Sequence, residues 1–341
     1  MRRLSMATPA ELGRTRYQQV TTVVRSVVER VQELWKGMSA ASVEGDLEGP
    51  AGAAIVAAVA EGQLTVADAA QAYIAVQMAA QGGSALAEAT LVAAAFAGIA
   101  PDGGPLETLL FLPAIGVRRR LAAGLAPDEA MLGGLADMAR YASTAIADTA
   151  RSADQVGMTA NPNCVAYVRV VQLPACARCI ILSGQMYSRS EGFLRHPNCD
   201  CQTLPLREKD WPSVPTPQQL FDRMPAAEQR RVFTVAGARA IGDGADVGQV
   251  VNARRGMSTA HVFGRDLQVT SEGTTKRGLY GGRLRRAGGE FAKFPGQRYG
   301  RATSTRYTRA TTPRLMPEEI FRISDDRAEQ LRLLRRYGYI V

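Results

Sequence analysis

Four cysteines and a histidine follow one another in a pattern that limits what the middle of this chain can be. Cys176-x2-Cys179 is followed after sixteen residues by His196-Pro197-Asn198-Cys199-Asp200-Cys201. A CxxC turn points two sulfurs at a common centre, and zinc, borderline-soft and four-coordinate, takes thiolate and imidazole ligands. The expected cofactor is therefore Zn2+, held by four of Cys176, Cys179, His196, Cys199 and Cys201. Cys176, Cys179, His196 and Cys199 make two matched knuckles and lead the choice; the tighter CxC pair keeps Cys201 in play, and spacing alone leaves the set open. A fifth cysteine, Cys164, lies a dozen residues upstream and reads as a small buried or free thiol.

Closed, thiolate-rich sites mostly hold loops together, whereas a catalytic zinc keeps one position open for water. Binding free energies of about 10–16 kcal/mol in such sites decide whether a small loop-rich module folds. Two disulfides are the alternative pairing, expected of a secreted domain. Met1 to Met6 is followed by polar and charged residues instead of the apolar core of a signal peptide, so the expectation is a reducing compartment and a metal.

Known zinc chemistry is a poor fit to an enzyme. Nucleobase deaminases pair their PCxxC half-site with an upstream His-x-Glu; no histidine precedes His196, and the residue two beyond it is Asn198. With His196 a ligand, His261 is the one remaining base, and Ser258 nearby lacks a Gly-x-Ser-x-Gly setting. The expectation is a protein that is not an enzyme and has no small-molecule substrate.

Charge divides the chain. Residues 1–160 carry 12 Lys/Arg against 16 Asp/Glu, residues 161–341 carry 29 against 16, and Arg265 to Arg314 alone carries 12 against 3. Basic density of that kind suits a polyanion. The candidate phosphate contacts are Arg254, Arg255, Arg277, Arg283, Arg285, Arg286 and Lys293, with Tyr280 and Tyr299 placed to stack on bases.

The fold class expected is mainly α with a small α+β zinc-stapled module. Residues 1–155 read as an Ala-rich helical domain for docking or scaffolding, 156–260 as the zinc-binding domain with a short strand or hairpin, and 261–341 as a basic Gly/Arg-rich region ending in a helix. Thr8-Pro9-Ala10-Glu11 offers an N-cap, a proline at the first helical position and a capping-box glutamate. Behind it, Tyr17, Val20, Val24, Val27, Val28, Val31 and Leu34 share one helical face. Further helices are expected from Thr65 to about Gly82, Ala85 to Ala97, Leu106 to Ala123 with a break or kink at Pro113, and Pro127 to about Val156. Tyr167 to Leu173 reads as a strand, and helices are expected from Thr216 to Met224, Pro225 to Gly242, Asp246 to Arg254 and after Pro317. Gly273 to Arg314 has little apolar periodicity and reads as extended, looped or partly disordered. Ala69 to Ala87 lacks charges but holds three glutamines and two glycines, which argues against a membrane span.

Three ordered segments carry a family resemblance. The CxxC pair, the turn Leu182-Ser183-Gly184-Gln185 and His-Pro-Asn-Cys-Asp-Cys resemble the phage Mu protein F-like minor head proteins. Ala240 to Gly256 looks like the version carried by actinobacterial tailed phages, and Leu315-Met316-Pro317-Glu318-Glu319-Ile320 adds a third match. Together they span roughly residues 160–341; the N-terminal half carries no motif of the family. The resemblance implies a minor capsid or head-morphogenesis protein inside the virion, made in the host cytoplasm. Its implied partners are the portal, capsid or scaffold protein and packaged double-stranded DNA bound non-specifically, with no membrane. A cellular zinc-dependent nucleic-acid-binding protein, and an enzyme using zinc or His261, are the alternatives.

Overall fold

The computed structural model describes residues 7–193, 199, 201–208, 214–262, 264–293, 296–298, 301–303 and 308–340. The chain is mainly helical and forms two compact units, Met1–Gln172 with Ser183–Val214, and Leu173–Leu182 with Pro215–Val341.

The first unit holds helices α1 (Pro9–Lys36), α2 (Val43–Glu48), α3 (Pro50–Ala80), α4 (Leu106–Ala122) and α5 (Pro127–Ala160). Its small antiparallel sheet has the order β2-β1-β3, from β1 (Ala166–Val170), β2 (Met186–Ser188) and β3 (Gln202–Leu206). Helix α1 starts where its cap signals place it: the Thr8 amide donates to Glu11 Oε2 at 2.8 Å and the Glu11 amide to Thr8 Oγ1 at 3.3 Å. Val20, Val31 and Trp35 of α1 pack with Ile55, Val59 and Val66 of α3, Leu110 and Val117 of α4, and Met138 and Ile146 of α5. Glycines set how closely these helices approach. A Cβ on Gly134 would lie 2.5 Å from Val117 Cγ2 and 2.7 Å from Trp35 Cζ2, and one on Gly62 would lie 2.9 Å from Val27 Cγ2.

Two helical expectations in this unit are corrected. Thr65 does not open a helix, because α3 already begins at Pro50; the Thr65 hydroxyl donates back to the Glu61 carbonyl at 2.9 Å, within the helix. The segment expected as a helix from Ala85 to Ala97 forms only a 3₁₀ turn, Ala93–Phe96. Its backbone is held by a side chain of α3: Gln71 accepts from the Leu91 amide at 2.8 Å and donates to the Ala89 carbonyl at 3.1 Å. Helix α4 runs on through Pro113. By length and composition α3 is apolar enough to cross a membrane. Here it is the central helix of the unit, with Gln63 and Gln77 buried and hydrogen-bonded to Thr149, Tyr73 and backbone carbonyls.

The second unit holds helices α6 (Ala177–Ile181), α7 (Pro217–Asp222), α8 (Ala226–Phe233), α9 (Val235–Gly242), α10 (Val247–Ala253), α11 (Leu279–Arg286), α12 (Pro317–Ile323) and α13 (Arg327–Arg336). Strands β4 (Met257–Val262), β5 (Arg265–Thr270) and β10 (Arg314–Leu315) form a sheet in the order β10-β5-β4. β6 (Phe291–Lys293) pairs with β9 (Thr308–Ala310), and β7 (Gly296–Arg298) with β8 (Arg301–Thr303). The single helix expected from Pro225 to Gly242 is two. Thr234 takes a left-handed backbone, φ 68°, and its hydroxyl accepts from the Gly237 amide to cap α9.

Gly273 to Arg314, expected to be extended, looped or partly disordered, does hold short extended strands among its described residues, and the departure is helix α11. A buried arginine organises them: Arg314 is 1% exposed, stacks on Tyr339 with its guanidinium carbon 4.2 Å from the ring centre, and donates to the carbonyls of Glu272, Tyr337 and Gly338. Apolar periodicity is blind to a core built on such a residue.

Candidate metal centre

Cys176 and Cys179 are presented by a single turn of helix. Cys176 is the N-cap of α6, and its sulfur accepts from the Cys179 amide at 3.4 Å. One turn on, the Cys179 side chain is buried whereas Cys176 is exposed. Cys199 and Cys201 immediately precede β3, whose five residues are all buried and pair along β1 from Ala166 opposite Leu206 to Val170 opposite Gln202. The sulfurs of Cys179, Cys199 and Cys201 lie within 4.8 Å of one another, and all three residues are buried. That spacing and donor set suit a soft or borderline metal ion such as zinc.

Of the five candidate ligands, three are thus brought together. Cys176 is described but does not belong to this group, and His196 lies outside the described residues. Cys164 is buried away from the group, with its thiol donating to the Ala166 carbonyl at 3.4 Å; burial pushes it up to about 11, so it is protonated at neutral pH.

Two arginines that the sequence reading passed over hold the Cys199 to Cys201 segment. From β1, Arg169 is 1% exposed; its Nη2 lies 3.3 Å from the Cys199 sulfur and 3.5 Å from the Cys201 sulfur, and its guanidinium carbon sits 4.4 Å from the centre of the Phe193 ring. From α5, Arg151 Nη1 donates to the carbonyls of both Cys199 and Cys201 at 2.9 Å, and its Nη2 pairs with Asp148. A signal existed for Arg169, a full charge inside an otherwise apolar run of Tyr167, Val168, Val170 and Val171, and for Arg151 in its i,i+3 spacing from Asp148.

A second buried pair anchors the following strand. Arg16 of α1 meets Asp154 of α5 at 2.7 Å, Thr203 of β3 donates to the same carboxylate at 3.4 Å, and Tyr73 of α3 donates to the Thr203 carbonyl at 2.7 Å. Burial pushes the Asp154 carboxyl above its ordinary range, and Arg16 and Thr203 offset part of that. The cavity lined by Arg151, Tyr167, Phe193 and Thr203 measures only about 60 Å³, room for a few waters and not for a substrate.

The proposed phosphate contacts fall into two groups. Arg254 is ion-paired with Glu318 at 2.8 Å and also donates to Thr234, and Arg283 donates to the carbonyls of Arg335 and Ile340. Arg255, Arg277, Arg285, Arg286 and Lys293 are exposed. Tyr280 is corrected as a stacking residue, since it is 4% exposed with its hydroxyl on the Pro313 carbonyl at 3.3 Å; Tyr299 lies outside the described residues. His261 hydrogen-bonds Asp266 at 2.9 Å across the β4–β5 hairpin, both side chains being more than 70% exposed, so the pair sits in water instead of a cleft.

No protein-family model, curated protein or solved structure matches this chain.

Proposed function

We propose that the chain is a structural protein stapled by zinc, of the phage Mu protein F-like minor head type, and not an enzyme. The observation that carries the metal is the convergence of the Cys179, Cys199 and Cys201 sulfurs within 4.8 Å in buried surroundings. Thiolate-rich sites closed by protein ligands mostly hold loops together, and a structural ion suits this donor set better than a catalytic one. In this reading the full ligand set is drawn from Cys176, Cys179, His196, Cys199 and Cys201.

The head-protein assignment rests on the sequence resemblance. Two of the three resembling segments, Ala240 to Gly256 and Leu315 to Ile320, meet within the second unit through the Arg254–Glu318 ion pair, so residues distant in sequence serve one packing unit. Inside the head, the exposed Arg255, Arg277, Arg285, Arg286 and Lys293 would meet packaged DNA, and the helical half would dock on portal, capsid or scaffold.

Fluorescence anisotropy on two duplexes of unrelated sequence, titrated with salt, tests the DNA contact. Equal affinity for both duplexes and a log–log salt slope of about −0.9 per phosphate neutralised are expected. A strong preference for one sequence would instead favour a cellular nucleic-acid reader, and a turnover lost in His261→Ala would favour an enzyme.

A further inference from the structure

We propose that the outward face of helix α4 is a self-recognition surface, on which two copies of the chain pair antiparallel about a two-fold axis between Leu112 and Ile115. The inference is independent of the metal and DNA readings above.

Two cavities open along this face, one toward each end of the helix. The first, about 690 Å³, lies between α4 and the corner from α2 to α3; Ile55, Val56 and Phe111 are among its apolar lining, and its charged residues are Glu48 and Glu107. The second, about 510 Å³, lies between α4 and α5 and holds Arg119, Arg120, Arg140 and Asp137. Asp137 accepts from Arg120 at 2.8 Å and from Arg140 at 2.7 Å, so this end has one carboxylate for three guanidinium groups, and Arg119 is exposed. Leu112, 39% exposed, and the half-buried Ile115 line both cavities. The face is thus an apolar crest with an acidic end and a basic end. An apolar centre with charged flanks is the plan of a protein interface.

That plan selects a second copy as the occupant, because a partner of one charge sign would satisfy only one end. In a two-fold pair each residue meets a residue that meets it in return. Spacings of four, three and four residues put Thr108, Leu112, Ile115 and Arg119 on one stripe of α4. Turned antiparallel about the midpoint of Leu112 and Ile115, the helix sets Leu112 of one copy on Ile115 of the other. Thr108 then faces Arg119, and Glu107 faces Arg120. The same register brings the half-buried Phe111 opposite Gly116, where no side chain opposes it. A parallel pairing would set each charged end against its own kind, which is repulsive. From Glu107 to Arg119 the helix spans about 18 Å. So short a contact belongs with the small interfaces, which associate weakly or transiently. A dimer that dissociates in the micromolar range is therefore expected.

Sedimentation velocity of the full chain across that range, at low and at high salt, tests the proposal. Alongside the parent run Glu107→Arg, Arg119→Glu, both exchanges in one chain, and Leu112→Asp. The parent is expected to show a monomer–dimer equilibrium that salt weakens. Each single variant is expected to pair about tenfold or more weakly, because like charges then face each other or a carboxylate enters the crest. The doubly exchanged chain is expected to pair again, and an equimolar mixture of Glu107→Arg with Arg119→Glu to form a heterodimer, since each exchange is answered across the axis. A parent that stays monomeric overturns the proposal and leaves the face to a different protein. A dimer indifferent to Leu112→Asp and Glu107→Arg uses another surface and overturns it equally. Single charge variants that are folded by circular dichroism, yet pair neither alone nor with each other, overturn the antiparallel register.

Discussion

Arg16 and Asp154 are each almost wholly buried, and their contact at 2.7 Å links the first and last long helices of the first unit. Breaking a buried pair by removing one partner leaves a charge with no water around it and costs about 3–5 kcal/mol, whereas replacing both by apolar groups of similar volume is often close to neutral. Asp154→Ala is therefore expected to lose about 3–5 kcal/mol in denaturant unfolding, and Arg16→Met with Asp154→Leu to lose much less than two single losses combined. Additive losses would mean that the pair is not coupled. Cys164 makes a different prediction. Buried and pushed up to about 11, it should resist iodoacetamide at pH 7.5 in the folded chain and react only on unfolding; rapid native labelling would contradict its placement. Neither Arg16, Arg151, Arg169 nor Arg314 was legible as a core residue, because patterning treats an arginine as surface unless a partner far along the chain is known.

Helices with strong local signals were read correctly at their starts. Thr8 with Glu11 and Thr216 with Gln219 both form the capping boxes that their spacing announces, since that information lies within four residues. Where the deciding partner was distant the reading failed: Gln71 holds the segment after α3 out of helix, and Thr234 breaks a helix whose composition would continue it. Glycine in α5 follows the same rule. Propensity alone makes Gly134→Ala favourable by about 1 kcal/mol, but the new methyl group would press on Val117 and Trp35 at 2.5 and 2.7 Å. Overpacking costs about 1–3 kcal/mol, so the variant is expected to unfold at lower denaturant than the parent. A gain in stability would show that α4 and α5 can part at no cost.

Across the whole molecule, the existence of a cysteine centre was legible in the spacing, but its membership was not. CxxC and HPNCDC announce ligands because thiolate turns are local; which sulfurs converge depends on β1 and β3 pairing and on two arginines thirty and fifty residues away from the cysteines they hold. The charge asymmetry was equally plain, yet the division into engaged arginines, such as Arg254 and Arg283, and exposed ones required the second unit's packing. Metal removal should act on this organisation directly. Zinc sites of this kind contribute about 10–16 kcal/mol of binding free energy, so a chelator is expected to melt the Leu173 to Leu206 region first, seen as new protease cuts there while α1 and α3 persist. Uniform resistance with and without chelator would argue that the fold needs no ion.

The most direct measurement is the metal content of the purified chain by elemental analysis, with Cys179→Ser, Cys201→Ser and Cys164→Ser alongside. One zinc per chain in the parent and in Cys164→Ser, with loss in Cys179→Ser and Cys201→Ser, is the predicted result. A parent without metal, or full zinc retained in both Cys179→Ser and Cys201→Ser, would contradict a zinc centre built on the three converging sulfurs.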